Sequence, residues 1–311
     1  DGGYILSGSL GEEEDSDFLL LKINSDGDVQ WSNIFGGNNR DIAFSVIQID
    51  DGYVIAGFTR SFSASDDIWI IKTDLNGNTC DYLANGGVCS NLNQWVKKYG
   101  DYNNNEIARS IIWSEFKNQY AVLTQEYNTS DVNNSSDIGL YILNEYGEVV
   151  VNKNYGGYNA LENDVGYSII EETNENPNLG GYVIIGYTNS YGNKNPGDLW
   201  VVKVDYSGYT CLQSDGDWEY QDDCIEEEYN NENLIFKVAN NCNGNCYKPG
   251  SDINPPLWAK TYGGFGSEYG LSIVQDENTY VITGFTNSFS NQNENFDLWL
   301  LKIDPTDLDN H

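Results

Sequence analysis

Acidic residues recur at one spacing along the chain, where an acid, a small residue and a serine stand at alternate positions. The four acids are Asp41, Glu106, Asp164 and Glu268. Carboxylate pairs carry out glycoside hydrolysis, but among 48 Asp and Glu residues such pairs arise without any reaction. Because each acid keeps its register with serine, we predict that these carboxylates serve the fold, by bonding neighbouring loops or strand lysines. The lysines that recur at one repeat position are Lys22, Lys72, Lys203 and Lys302.

Two further segments are dense in the oxygen ligands that calcium prefers. They are "GEEEDSD", which begins at Gly11, and "SDGDWEYQDDCIEEE", which begins at Ser214. Neither has the order of acids found in an EF-hand loop, so a calcium site and a solvated acidic loop both stay open. The candidate ligands are Glu12, Glu13, Glu14, Asp15, Asp215, Asp217, Asp222 and Asp223. No other cofactor is predicted.

All six cysteines lie in two inserts, at about residues 78–92 and 209–255. Even numbers of cysteines in long loops favour disulfides and an oxidising compartment. A zinc site would use "CNGNC", but the only histidine is His311 and the spacings match no zinc module. We predict a Cys80–Cys89 disulfide. The second insert allows three pairings, of which the favoured one is Cys211–Cys224 with Cys242–Cys246.

One loop, "EYNTSDVNNSSD", carries three glycosylation sequons. Their acceptors are Asn128, Asn133 and Asn134. A sequon marks a surface acceptor in a secreted protein, although an Asn-rich chain also produces sequons by accident. Together with the cysteines, the sequons predict an extracellular glycoprotein.

Five copies of an apolar phrase run through the chain. They are "GYILSGSL" at Gly3, "GYVIAGFT" at Gly52, "QYAVLTQE" at Gln119, "GYVIIGYT" at Gly181 and "TYVITGFT" at Thr279. A second phrase such as "DIWIIKTD" follows each copy. A third such as "WVKKYG" follows four of them, and the acid–serine phrase closes these four units. A repeat of about 40–50 residues is typical of a propeller.

Each phrase has the composition of a β-strand. It is short, rich in β-branched and aromatic residues, and bounded by Gly, Asn, Asp and Ser. Between the second and third phrases an Asn or Asp opens a turn, and a Gly three residues later takes a positive φ, as in Asn24 to Gly27. Strands such as "WLLKI" are apolar at both alternating positions and need cover on both faces. The sequence therefore predicts four-stranded antiparallel units repeated radially, a β-propeller.

The phrase Asp-x-Trp-hydrophobic-Lys followed by Trp and Tyr-Gly-Gly resembles the kelch-like and SBBP-type propeller repeats of prokaryotic secreted or cell-surface proteins. The resemblance implies that "DIAFSV" is strand A, "GYVIAG" strand B, "DIWIIK" strand C and "WVKKYG" the outer strand D. It implies an all-β fold of about five four-stranded blades with two Cys-containing loop inserts. The third unit departs from the pattern, since Gly139 and Val151 replace the recurring tryptophans.

Composition excludes several classes of partner. Lys and Arg number 15 against 48 Asp and Glu, a net charge of −33. Nucleic acid and anionic membrane both need a cationic surface, and no run of 18 apolar residues would insert into a bilayer. The acidity suits solubility or a salty habitat.

The repeat makes residues 1–311 one predicted domain. Strands B and C occur five times but strands A and D only four, so we expect an incomplete first and last blade. The chain also lacks Met. We expect the missing strands to come from a longer precursor or from a neighbouring chain by strand addition.

We predict a non-catalytic extracellular structural or adhesive module of a cell-surface layer, filament or larger surface protein. Its partners are other copies or other surface proteins. The first alternative is a carbohydrate-binding propeller, because aromatic, amide and hydroxyl groups crowd the B–C and D–A loops. The second is a glycan-cleaving enzyme, although the sequence predicts no catalytic residue.

Overall fold

A computed structural model describes most of the chain, which is all-β. The described residues are 2–12, 14–91, 93–100, 104–127, 135–156, 163–172, 180–190, 197–208, 225–230, 233–238, 258–288 and 296–304. Within them the single helical element is a short 3₁₀ turn, Leu83–Asn85. No helix in these ranges is long and apolar enough to cross a membrane.

The chain divides into two compact units. Unit 1 is Asp1–Asn134 with Gly139–Asn152, and unit 2 is Ser135–Ile138 with Lys153–His311. The expected single domain over residues 1–311 stays a prediction.

Unit 1 holds sheets 1 and 2 and most of sheet 3, all antiparallel. Sheet 1 has the order β1 (Tyr4–Glu12), β2 (Asp15–Ile23), β3 (Val29–Phe35). Sheet 2 has the order β4 (Asp41–Ile49), β5 (Gly52–Thr59), β6 (Asp67–Thr73), β8 (Trp95–Tyr99), β7 (Cys89–Ser90). Sheet 3 has the order β9 (Asn105–Ser114), β10 (Gln119–Tyr127), β11 (Ser136–Asn144), β12 (Val149–Tyr155). The predicted phrases thus form strands in the predicted order A-B-C-D, and among the described residues sheet 1 holds strands B, C and D.

Unit 2 holds two larger sheets and a hairpin. Sheet 4 has the order β13 (Asp164–Glu172), β14 (Gly181–Thr188), β15 (Asp198–Asp205), β18 (Trp258–Tyr262). Sheet 5 has the order β19 (Glu268–Asp276), β20 (Thr279–Thr286), β21 (Asp297–Ile303). The hairpin pairs β16 (Ile225–Asn230) with β17 (Asn233–Val238). It lies in the second insert, where the sequence predicted only a polar loop.

The predicted C–D turns are present. The Asn24 side-chain oxygen accepts the backbone N–H groups of Asp26 and Asp28, and Gly27 has a φ of 88°. Such a turn needs a residue that tolerates positive φ, which glycine does without strain. The turns that begin at Asp74, Asn144 and Asp205 repeat this arrangement. The strand ends are therefore set by local chemistry.

In unit 1 the sheets pack face to face through alternate residues of strands B and C. Ile68 and Ile70 of β6 pack with Tyr120 and Val122 of sheet 3. Trp69, between them in the sequence, points the other way and packs with Phe18 and Leu20 of sheet 1. We call the side that a sheet turns to the preceding sheet its leading face, and the other its trailing face.

Unit 2 repeats this register. Leu199 and Val201 form the trailing face of sheet 4, and they pack with Tyr280 and Ile282 on the leading face of sheet 5. Residues at one position of the repeat therefore face the same way in both units. In sheet 2 both faces are covered, which explains why the middle of strand C, from Ile68 to Ile71, is apolar at successive positions.

The predicted Cys80–Cys89 disulfide is present. The loop that it closes packs into the core between sheets 1 and 2. Tyr82 is buried edge-on against Trp69, whose ring N–H donates to the Gly87 carbonyl over 2.8 Å. Cys89 also lies in β7, which adds a fifth strand to sheet 2 beside β8. The insert therefore helps to bury Trp69 in sheet 2.

Candidate functional site

Asp41 begins strand A of sheet 2 and is completely buried. Thr59 Oγ1 donates to its Oδ1 over 2.5 Å, and Ser61 Oγ donates to its Oδ2 over 2.7 Å. The backbone N–H groups of Arg60 and Gly37 add bonds of 3.1 Å each. This carboxylate ties the end of strand B to the segment that enters strand A.

The same arrangement recurs in unit 2. Ser190 Oγ donates to Asp164 over 2.5 Å, and Thr286 Oγ1 donates to Glu268 over 2.8 Å. Ser288 Oγ also donates to Glu268. Of the two roles the sequence left open for these acids, bonding of neighbouring loops is therefore the one observed here.

The strand-C lysines have other partners, at the far end of strand A. Lys72 lies 3.1 Å from Asp51, and Lys302 lies 3.0 Å from Asp276. Lys203 pairs with Glu172, which also accepts a hydrogen bond from Tyr280 of sheet 5 over 2.6 Å. The ion pairs observed for these three lysines are thus made with acids at the end of strand A rather than with the acids that begin it. Each lysine needs an acid at its own end of the sheet.

A second carboxylate, near the start of strand C of the preceding sheet, lies close to the buried acid. We call each place where these two carboxylates meet a junction. A Cβ placed on Gly36 would lie 1.8 Å from Asp17 Oδ1 and 2.8 Å from Asp41 Oδ2, so only glycine fits between them. Burial first, and then the charges of Asp41 and Asp15, raise the pKa of Asp17 above its ordinary value, although the Gly37 N–H opposes this. The equivalent contacts place Gly156 between Asp137 and Asp164, and Gly263 between Asp198 and Glu268.

These carboxylate pairs have little freedom to act on a substrate. In a glycosidase, one carboxyl must reach the leaving oxygen and the other the sugar carbon or a water. Here Asp41 is enclosed by five protein donors, and a glycine backbone fills the space beside Asp17. The arrangement suits a tie between sheets.

Each strand A bulges at one residue of the acid–serine phrase or beside it. In β4 the ladder skips Phe44, because Ala43 pairs with Gly57 and Ser45 with Ala56. Corresponding shifts skip Arg109, Tyr167 and Leu271. A β-bulge re-aims the side chain it carries. Sequence reasoning missed these bulges, although the fixed spacing between acid and serine was their signal.

The bulges of unit 1 assemble a small aromatic–cationic group. The Arg109 guanidinium lies 4.9 Å from the centre of the Phe44 ring, within cation–π range. Two of its N–H groups donate to Gln125 Oε1 at 2.6 and 3.1 Å. Phe44 remains exposed and lies 6.1 Å from Phe58. An exposed ring beside an amide and a fixed cation can stack against a sugar ring.

The predicted calcium ligands do not form a cluster where the structure shows them. Glu12, Glu14 and Asp15 are exposed at the β1–β2 hairpin. No group of three or more acids, cysteines or histidines placed to hold a metal is found in the described ranges. Glu13, Asp215, Asp217, Asp222 and Asp223 lie outside those ranges.

The remaining predicted modification sites are four cysteines and three asparagines. Outside the described residues lie Cys211, Cys224, Cys242, Cys246, Asn128, Asn133 and Asn134. Their pairings and glycans stay predictions.

Comparison with known proteins assigns no family. No protein-family model matches the chain, and no curated protein matches it.

Proposed function

We propose that this chain is a non-catalytic structural or adhesive module that works outside the cell, as a β-propeller of about five blades at a prokaryotic surface. The observation that carries the proposal is the use of the recurring carboxylates. Asp41, Asp164 and Glu268 bond the Thr and Ser residues that close strand B. The acids that recur at one repeat position thus connect the start of strand A to the end of strand B.

Two further observations support the propeller arrangement. The sheets of each unit pack face to face in one repeated register, as neighbouring blades do. Outer strands also contact the next sheet's turn: Trp95 donates its ring N–H to the Glu145 carbonyl, and Tyr99 donates to the Gly147 carbonyl. The Cys80–Cys89 disulfide supports an oxidising compartment.

The test is a hydrolysis screen of the purified chain on plant, bacterial and host polysaccharides, with detection of new reducing ends. We expect no release. Release that disappears in Asp17→Asn and Asp41→Asn would contradict the proposal and assign the junction to catalysis. Release that survives both substitutions would contradict it equally, and would place the activity elsewhere.

The Phe44–Arg109–Gln125 group favours one alternative, a carbohydrate-binding propeller. A glycan array separates the two functions. Binding that is lost in Phe44→Ala but kept in Phe116→Ala would establish the alternative. Phe116 is a matched control because it is also exposed and also has a cation, Lys117, over its ring.

A further inference from the structure

A lysine and a glutamate are buried together where sheets 4 and 5 pack on each other. Lys203 follows Leu199 and Val201 at alternate positions of β15, on the trailing face that sheet 5 covers, and Glu172 ends strand A of the same sheet. Their side chains expose only 3% and 10% of their surface. Because Lys203 Nζ contacts Glu172 Oε2, an amine nitrogen is held next to a carboxyl group in a place that bulk water hardly reaches.

Sheet 5 adds a third buried group to this pair. Tyr280 of β20 is almost completely buried, and its hydroxyl donates to Glu172 Oε1 over 2.6 Å. Burial first, and then the hydrogen bond and charge of Glu172, raise the pKa of Tyr280, so the hydroxyl keeps its proton. The two oxygens of Glu172 therefore have different partners. One contacts the amine of Lys203, and the other accepts from a neutral donor.

The equivalent ion pairs of sheets 2 and 5 are open to water. Lys72 pairs with Asp51 and Lys302 pairs with Asp276, and the two aspartate side chains expose 47% and 58% of their surface. Asp276 ends strand A of sheet 5 as Glu172 ends strand A of sheet 4. Of these three pairs, the one in sheet 4 is thus withdrawn from water, and the other two serve as internal controls.

Burial and contact both favour a reaction between the amine and the carboxyl group. A buried ion pair is costly, because each charge loses its hydration. Condensation to an amide removes both charges and releases water. Groups held in a reactive geometry behave as if one were present at about 10⁵–10⁸ M. Burial therefore favours the neutral product, and the contact raises the rate at which it forms.

We propose that Lys203 and Glu172 become joined by an isopeptide bond in the folded chain. A proton passes from the Lys203 ammonium to Glu172 Oε2, which leaves a neutral amine and a carboxylic acid. The Nζ lone pair then attacks Cδ, and the Tyr280 hydroxyl donates to the negative charge that develops on Oε1. The Nζ–Cδ bond forms and the Cδ–Oε2 bond breaks. Oε2 leaves as water with a second proton from Nζ, and Tyr280 keeps its own proton.

The bond goes beyond the proposed function, since it is a single covalent self-modification and not an adhesive contact. Strand B of sheet 4, β14, lies between strand A, β13, and strand C, β15. The isopeptide bond therefore links the two strands that flank β14, and it keeps them together even when the hydrogen bonds of the sheet open.

The test is the intact mass of the full chain after its cysteines are reduced and alkylated. We expect a mass lower than that of the sequence by one water, and a protease digest in which the peptides containing Lys203 and Glu172 are joined. Lys203→Arg should have the full mass, because a guanidinium stays protonated and does not attack the carboxyl group. Lys302→Arg is the matched control and should lose one water like the wild type, since its ion pair is exposed.

Tyr280→Phe tests the part assigned to the hydroxyl, because it keeps the buried ring and removes the donor. Bond formation should slow by about 10²–10³-fold, the usual cost of losing one donor to a developing negative charge. The measurement is the condensed fraction as a function of time after synthesis. Circular dichroism verifies that each variant is folded. Condensation as fast as in the wild type would overturn the part assigned to Tyr280.

Two results would overturn the bond itself. The first is a wild type with the full mass of its sequence. The second is a loss of water that persists in Lys203→Arg or that maps to one unbranched peptide, since either places the dehydration elsewhere. The hydrolysis screen tests the proposed function separately, because neither result predicts the other.

Discussion

Sheets 2 and 5 carry nearly the same strand C in opposite surroundings. "DIWIIKT" in β6 is buried at every residue, whereas "DLWLLKI" in β21 is exposed at alternate residues and half-buried at most of the others. Both strands pair with strand B in the same register. The difference shows that local sequence decides the strand and that a neighbouring sheet decides its burial.

The largest expected effect separates the two trailing faces. Ile70→Ala should lower the free energy of unfolding by about 2–5 kcal/mol, because a completely buried side chain leaves a cavity. Leu300→Ala, at the same repeat position, should change it by less than about 0.5 kcal/mol in dilute protein. Urea unfolding of both variants measures the contrast. Equal losses would show that Leu300 is covered within the chain.

The disulfide loop gives the next effect, because it covers Trp69 of sheet 2. Replacing Cys80 and Cys89 together by Ala should lower the free energy of unfolding by about 2–3 kcal/mol, as expected for a short closed loop. The fluorescence of Trp69 should also shift to longer wavelength as Tyr82 moves away from it. An unchanged unfolding midpoint would mean that packing alone holds the insert.

Two equivalent threonines test whether the acid that begins strand A stabilises sheets 2 and 5 to the same extent. Thr59→Val and Thr286→Val each remove a donor to a buried carboxylate, Asp41 or Glu268. Each should cost about 1–3 kcal/mol, the range for a buried group left without its partner. Similar losses would place the difference between sheets 2 and 5 on their trailing faces alone. A loss confined to Thr59→Val would contradict that view.

The smallest effect depends on pH. Because the pKa of Asp17 is raised in the folded protein, that state binds a proton more readily than the unfolded chain, and stability falls as pH rises above about 4 through the folded pKa. Asp17→Asn should therefore stabilise the protein modestly at neutral pH and lose this advantage at acidic pH. Asp297→Asn, the exposed counterpart in sheet 5, is the control and should change stability little. Urea midpoints at a series of pH values provide the measurement.

The sequence predicted the strands, their antiparallel order and the C–D turns, because each depends on neighbouring residues. Asn24 bonds its own turn, and Gly27 takes the positive φ that the turn requires. The Cys80–Cys89 pairing could also be predicted from the sequence, since the two cysteines close one short loop.

Features that depend on packing could not be predicted. Tyr82 reaches Trp69 only because the insert folds back over sheet 2. Lysine partners depend on which end of the neighbouring strand lies beside each lysine, as Lys72 and Asp51 show. Gly139, which stands where sheet 2 has Trp69, lies where a Cβ would come within 2.0 Å of Thr124 Oγ1. In sheet 3, neighbouring polar side chains occupy part of the space that the tryptophan side chain fills in sheet 2.

Hydroxyl-radical footprinting with mass spectrometry tests the comparison of the two trailing faces most directly, because it reports exposure without any substitution. In dilute protein, Leu298 and Leu300 should be oxidised while Ile68 and Ile70 are protected. Protection of Leu298 and Leu300 equal to that of Ile68 and Ile70 would contradict the claim that the trailing face of sheet 5 is exposed.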